Sequence, residues 1–304
     1  MSSIGASVAE QALRLSDERG DELLAIVGPT ASGKTALALQ LAERLGGEVV
    51  SADSVQIYRE FDVGSGKPSA VDLARARHHL IGTVDPLAPL DAASWARSAS
   101  RAVAEVRARG RVPILCGGSF LWVKAFLFGL AEAPPASALL RGRHREMADR
   151  DGRAALHARL REVDVESAIR LHENDFVRVS RALEVYELTG KPLSAWQREH
   201  GFAHPRHPAR LIAISCEPSV LTKRIEARAA AWLGAGWIEE VEGLLARGYG
   251  DARAMGSVGY AEIRAMLRGE LPPTELEGAI VRKTRVFARR QRTWLSHVDV
   301  HWLG

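Results

Sequence analysis

Gly28-Pro29-Thr30-Ala31-Ser32-Gly33-Lys34-Thr35 fits G-x-x-x-x-G-K-[ST], the pattern of a phosphate-binding loop. The apolar run Leu23-Leu24-Ala25-Ile26-Val27 precedes it and reads as a buried strand. Leu37, Leu41 and Leu45 follow at four-residue spacing, which predicts a helix. Strand, glycine loop and helix are the context the motif needs. Gly28 and Gly33 let the backbone turn tightly, so that its N–H groups and the helix N-terminus face an anion. Lys34 adds a mobile positive charge and the Thr35 hydroxyl is a ligand for Mg²⁺. The chemistry of this chain therefore involves a polyphosphate.

Outward from that loop, short apolar strands alternate with helices. Strands are expected at Leu23–Val27, Glu48–Ser51, Val112–Cys116 and Leu211–Cys216, and helices at Lys34–Leu45, Ala93–Arg109, Val220–Leu233, Ile238–Arg247 and Glu275–Leu295. That alternation predicts an α/β fold, a parallel sheet covered on both faces. The stretch from Gly129 to about His204 differs: it is rich in Arg, Glu, Ala and His, holds no convincing strand, and is flanked by prolines. It reads as a helical insertion between core strands.

The 304 residues leave room for one large domain or two smaller ones, and 46% hydrophobic residues supply an ordinary core. The formal charge is only +4 with a pI near 9.3, so basic residues matter only where they cluster. Cys116 and Cys216 both fall in apolar strand-like runs, which predicts buried free thiols in a reducing compartment. Residues 1–22 lack an apolar signal core and read as a loose tail. The longest apolar stretch, Pro113 to Leu130, is interrupted by Lys124 and three glycines and is too short to span a membrane. A soluble, cytoplasmic protein is expected, and a monomer, because no heptad seam demands a partner.

Asp53 stands at the C-terminal end of the second strand, the edge at which such sheets bind ligands. A carboxylate there is a general base, a metal holder or a plain N-cap, and position alone leaves these open. An ordinary kinase or ATPase wants an apolar strand ending in Asp to hold Mg²⁺. Here the run Val112–Cys116 leads instead into Gly117-Gly118-Ser119. Near the C-terminus Arg282, Arg285, Arg289 and Arg292 recur at three- and four-residue steps, widened by Lys283 and Arg290. Like charges so spaced repel, so the strip is a polyanion-binding face or a solvated one.

Taken together the motifs resemble the tRNA dimethylallyltransferases, the tRNA isopentenyltransferases of the IPP transferase family. The matching stretches are GPTASGKT, SADSVQIYREFDVGSGKP (Ser51–Pro68), His78-His79-Leu80-Ile81, Gly117-Gly118-Ser119, NDFVRVSRALEVYELTGKPLS (Asn174–Ser194), GWIEEVEGLLARG (Gly236–Gly248), Val258-Gly259-Tyr260 and RRQRTWL (Arg289–Leu295). They occur in order over nearly the whole chain, from Leu23 to Leu295. The resemblance implies a P-loop NTPase-like parallel sheet flanked by helices, with residues 23–128 and 205–304 as catalytic core. It gives 129–204 as an all-helical insertion domain contacting the tRNA anticodon stem-loop. The implied reaction is Mg²⁺-dependent transfer of a dimethylallyl group from dimethylallyl diphosphate to the exocyclic amine of the adenine 3′-adjacent to the anticodon.

By the same resemblance, Gly28, Pro29, Thr30, Ala31, Ser32, Gly33, Lys34 and Thr35 hold prenyl diphosphate, with Mg²⁺ at Thr35, and Arg228 is a second clamp on the leaving diphosphate. Asp53 is the base, and Asp53, Ser54, Val55 and Gln56 meet the target adenine, which must be turned out of its stack. Ser119, Arg141, and Val177, Arg178, Val179, Ser180 and Arg181 match tRNA-contact positions, and Arg285 and Arg289 lie in the basic strip. The chain departs from the family in Ser119 for Thr, Trp122 for Tyr, GSGKP for GTAKP, Ala261 for a basic residue, and LAPLDAASW after Pro86, where a Tyr-Ser pair is usual. The competing readings are an adenylate isopentenyltransferase acting on a free nucleotide, a P-loop small-molecule kinase, and a non-catalytic RNA-binding module.

Overall fold

Leu23–Val27 form β1, and all five residues are buried, which requires cover on both faces of the strand. In the computed structural model, which describes residues 6–18, 20–201 and 205–304, β1 lies inside a six-stranded sheet. The other strands are β2 (Gly47–Ala52), β3 (His78–His79), β4 (Val112–Gly117), β5 (Ala209–Ile214) and β6 (His301–Leu303), in the spatial order β3-β2-β4-β1-β5-β6. Every pairing is parallel. The α/β class with a parallel sheet flanked by helices is thus the observed one. Register brings the ends of three strands together: Val27 pairs with Gly117 and Ala213, and Ala52 pairs with Gly117. Gly117 has to be glycine, since an added Cβ would lie 2.2 Å from the Ala52 carbonyl oxygen.

The helix Lys34–Leu45 follows the loop after β1 and packs Leu37, Leu39 and Leu41 onto the sheet core. Gly46 closes it with φ 61, the left-handed conformation that suits a helix end. β3 and β6 were not legible in sequence because two- and three-residue strands carry too little periodicity. β3 is held from the side as well: His79 Nε2 lies 2.6 Å from Glu48 Oε2, and Arg109 bonds the same carboxylate at 2.7 Å. That arrangement holds the Glu48 carboxyl down at about 2, with the Arg109 bonds as the main cause.

Two expectations need correction. The tail expected to be loose contains the helix Ala6–Asp17, whose Ala12 is fully buried against the sheet core with Val8, Leu13 and Leu15 around it. The absence of a signal-type apolar core hid this amphipathic pattern; residues 1–5 and Arg19 lie outside the described residues. Cys116 is buried, and burial pushes its thiol up to about 11. Cys216, however, lies beyond the end of β5 and is only half-buried.

The chain divides into two compact units, residues 1–127 with 206–304, and residues 128–205. The first carries the sheet. The second holds the helices Ala138–Asp151, Arg153–Val163, Val165–Arg170, Phe176–Thr189 and Leu193–His200, and no strand among its described residues. Its core is Leu156, Leu160, Val179, Ala182 and Leu183. Residues 202–204, where the insertion was expected to end, lie outside the described residues. Among the described residues no helix is long and apolar enough to cross a membrane.

Candidate functional site

The loop after β1 is strained in the manner of a ligand cradle. Ala31 adopts φ 65, a conformation disfavoured for a residue with a side chain. Gly33 takes φ 100 at the N-terminus of Lys34–Leu45, which leaves the first helical N–H groups unpaired. Three side chains from later in the chain hold this loop. Arg224 Nη1 donates to the Ser32 carbonyl at 3.3 Å, and Arg228 Nη2 donates to Thr30 Oγ1 at 2.5 Å. Both come from the helix Pro218–Gly234.

The third is Gln291, from the helix Leu276–Leu295. Its Oε1 accepts from Thr30 N at 2.8 Å and its Nε2 donates to the Gly118 carbonyl at 2.9 Å. Gln291 is buried, and Gly118 leaves no room for a Cβ, which would sit 2.5 Å from the Gln291 amide nitrogen. One amide thus ties the phosphate loop to the end of β4. Gln291→Ala leaves a buried N–H and a carbonyl unpaired, at about 1–3 kcal/mol each. We expect inorganic diphosphate to bind roughly ten-fold or more weakly to that variant by calorimetry, the equivalent of about 1.4 kcal/mol. Unchanged affinity would show that the loop keeps its shape without this tie.

Lys34, Thr35, Asp53, Ser119 and Arg228 line one cavity of about 390 Å³. That is within the range of small-ligand sites. Asp53 Oδ1 accepts from Val55 N at 2.9 Å and Gln56 N at 3.2 Å, so the carboxylate caps its own turn. Oδ2 has no hydrogen-bond partner among the described residues. The capping and base readings of Asp53 are therefore compatible, one oxygen for each. Ser54, Val55 and Gln56 also line the cavity. Gln56 is engaged internally: Nε2 donates to the Ser65 and Gly66 carbonyls at 3.2 and 2.9 Å. Ser119 Oγ accepts from Ser54 N at 2.9 Å, so Ser in place of Thr keeps this bond. Trp122 is buried and stacks on Trp95 at 5.0 Å, a packing role.

The electrostatics of the cavity are unbalanced toward positive charge. Burial pulls Lys34 down from its ordinary range; Cys116 and Asp53 oppose this, and Arg228 adds to it. Burial likewise pulls Arg228 down to about 10, against the attraction of Asp53. Two partly desolvated cations facing one carboxylate favour a polyanionic ligand, whose charge would offset the cost of burying them.

Other predicted residues lie in the helical unit. Arg141 and Arg181 share the buried carboxylate of Glu184, at 3.2 and 2.7 Å, while Arg178 pairs with Asp175 and keeps 72% of its side chain exposed. These ion pairs orient the guanidinium groups without covering Arg178. Val177 is exposed. Val179 packs in the core, and Ser180 is buried and bonds His144 Nδ1 at 2.9 Å. Both lie on the broad buried stripe that Ala182, Leu183 and Glu184 continue three and four positions on, and they offer no surface to a partner in this conformation.

Arg282, Arg285, Arg289 and Arg292 are exposed along Leu276–Leu295, and among the described residues none of the four forms a salt bridge. Sequence reasoning missed Gln291, Arg224 and Glu240. Glu240 Oε2 accepts from Asp62 N and Val63 N at 2.8 and 2.6 Å and shapes the Gly64–Pro68 loop. Gln291 left a usable signal: it continues the buried face Ile280, Thr284, Ala288 and Leu295, where a lone amide demands partners.

The profile of the IPP transferase family matches residues 56–298. A tRNA dimethylallyltransferase of Sorangium cellulosum is 64% identical over 93% of this chain and 90% of its own length. One of Geobacter sulfurreducens is 47% identical over 90% of this chain and 88% of its own. Among solved structures, the tRNA isopentenylpyrophosphate transferase of Bacillus halodurans superposes with TM-score 0.67 at 34% identity, over 93% of this chain and 89% of that one. A eukaryotic dimethylallyltransferase acting on tRNA shares the fold with TM-score 0.76 at 22% identity, over 92% of this chain and 73% of that one.

Proposed function

The chain belongs to the IPP transferase family, and we propose that its cavity transfers a dimethylallyl group from dimethylallyl diphosphate to the exocyclic amine of the adenine 3′-adjacent to a tRNA anticodon. The observation that supports this most directly is the joint placement of the phosphate loop, two buried cations and the Asp53 carboxylate in one cavity. The allylic C–O bond breaks with its electron pair going to the diphosphate. Lys34, Arg228 and the loop N–H groups stabilise that growing charge. The adenine nitrogen forms the new C–N bond, and its proton passes to Asp53 Oδ2.

Thr35 supplies a hard oxygen donor in the cavity, and no cluster of three His, Cys, Asp or Glu side chains stands among the described residues. That donor set suits Mg²⁺, which keeps several waters and takes its remaining ligands from substrate phosphates. Bound there, the ion would neutralise charge on the departing diphosphate. For the acceptor, Arg178 with the Glu184-held Arg141 and Arg181 in the helical unit, and Arg285 and Arg289 on Leu276–Leu295, take tRNA backbone phosphates. We place the reaction in the cytoplasm, where unmodified tRNA is found, and the chain as a monomer. A kinase reading is disfavoured because β4 ends in Gly117 and runs into Gly118 with no metal-holding Asp.

The test is incubation with Mg²⁺, unmodified tRNA or free AMP, and dimethylallyl diphosphate or ATP, followed by mass analysis of the nucleosides. A prenyl gain on tRNA alone is expected, with a raised KM for tRNA when Arg285 and Arg289 are neutralised. Prenylation of AMP alone, or phosphate transfer from ATP, would overturn the reading.

A further inference from the structure

Trp232 lies one helical turn beyond Arg228 on Pro218–Gly234, and both line the cavity with Ile225 and Ala229 on the same stripe. The Arg228 guanidinium sits over its ring, 4.6 Å from the centroid. Trp237 meets it nearly perpendicular, at 86° and 5.4 Å.

The two indoles are backed by main chain. A Cβ on Gly66 would lie 2.6 Å from the Trp232 ring, and one on Gly64 or Gly259 would lie 1.8 or 1.9 Å from Trp237. Trp237 is buried, while Trp232 is half-buried because part of it faces the cavity. Neither ring has space behind it into which to retreat.

Arg228 marks the diphosphate end through its bond to Thr30 Oγ1. The Trp232 ring centre stands 4.6 Å from the Arg228 guanidinium carbon, roughly the span of four carbon–carbon bonds in an unbranched run. An allylic chain anchored at that clamp and lying along the Ile225–Ala229 stripe therefore meets Trp232 after about one five-carbon unit.

We propose that Trp232 is the wall that sets prenyl chain length, admitting a five-carbon allylic group and refusing a ten-carbon one. This rests on the prenyl-transfer reading and names a specificity residue for it. The stacked Arg228 fixes the ring, so the wall and the diphosphate clamp are one packed unit.

The experiment compares the binding of inorganic diphosphate and geranyl diphosphate by calorimetry in the wild type, Trp232→Ala and Trp232→Met. Inorganic diphosphate reports the clamp alone, so the ratio of the two affinities removes any loss of Arg228 stacking. In the wild type, geranyl diphosphate should bind no tighter than inorganic diphosphate. In Trp232→Ala the ratio should shift toward geranyl diphosphate by about ten-fold or more, since added apolar contact is worth that much per small group. Trp232→Met should shift it less, and both variants should place a ten-carbon group on tRNA.

An unchanged ratio in both variants overturns the wall. So does a variant whose only defect is a raised KM for tRNA, because the ring would then be stacking a base. A wild type that transfers no five-carbon group to tRNA defeats the functional reading instead, whatever the ratio shows.

Discussion

Asp53→Asn should bind both substrates and transfer the prenyl group roughly 10²–10⁴-fold more slowly, the usual magnitude for loss of a general base. The substitution separates two roles of one side chain. Oδ1 accepts the Val55 and Gln56 N–H groups, and an asparagine oxygen reproduces that cap. Only the outward oxygen changes, from a proton acceptor to an amide that cannot accept one. Asp53→Ala removes the cap as well and should add a raised KM for tRNA, because Ser54 and Val55 line the same cavity. Single-turnover transfer at saturating substrate is the measurement. Near wild-type transfer by Asp53→Asn would reduce Asp53 to a turn-former and move the base elsewhere.

The same residue shows how much could be read in advance. The phosphate loop, its flanking strand and helix, and the end-of-strand position of Asp53 are local patterns, and the sheet places them together as such patterns require. What escaped was either too short or too distant. β3 and β6 have two and three residues, below any period. Gln291 reaches Thr30 from 261 positions away, and nothing near either residue announces the pair. The helix Ala6–Asp17 offers only a short apolar face, Val8, Ala12 and Leu15, among polar residues. In the helical unit, the motif match named Val177–Arg181 as one block, but a helix divides such a block between core and surface. Val179 and Ser180 went inward, whereas Val177 and Arg178 stayed outside.

Arg228→Gln should lower kcat by about 10²–10³, the scale seen when one preorganised donor to a developing anion is lost. The KM for dimethylallyl diphosphate should move less. The reason lies in when the charge appears. In the proposed reaction the ground-state diphosphate is held by Lys34 and the loop N–H groups, and as the C–O bond opens its bridging oxygen would gain charge that Arg228 would meet. An interaction that strengthens along the reaction coordinate acts on kcat more than on binding. Arg228 is prepared for this: Thr30 Oγ1 at 2.5 Å and the Trp232 face fix its plane, and burial, which draws its pKa down to about 10, leaves it short of compensating charge until the anion forms. Arg228→Lys should recover only part of the rate, since an ammonium has neither the planar fork nor the stacking face. Rapid-quench kinetics with saturating tRNA separates the two parameters. If KM rises while kcat holds, Arg228 grips substrate and product alike and does not act on bond cleavage, and the charge that develops must then be met by Lys34 and the loop.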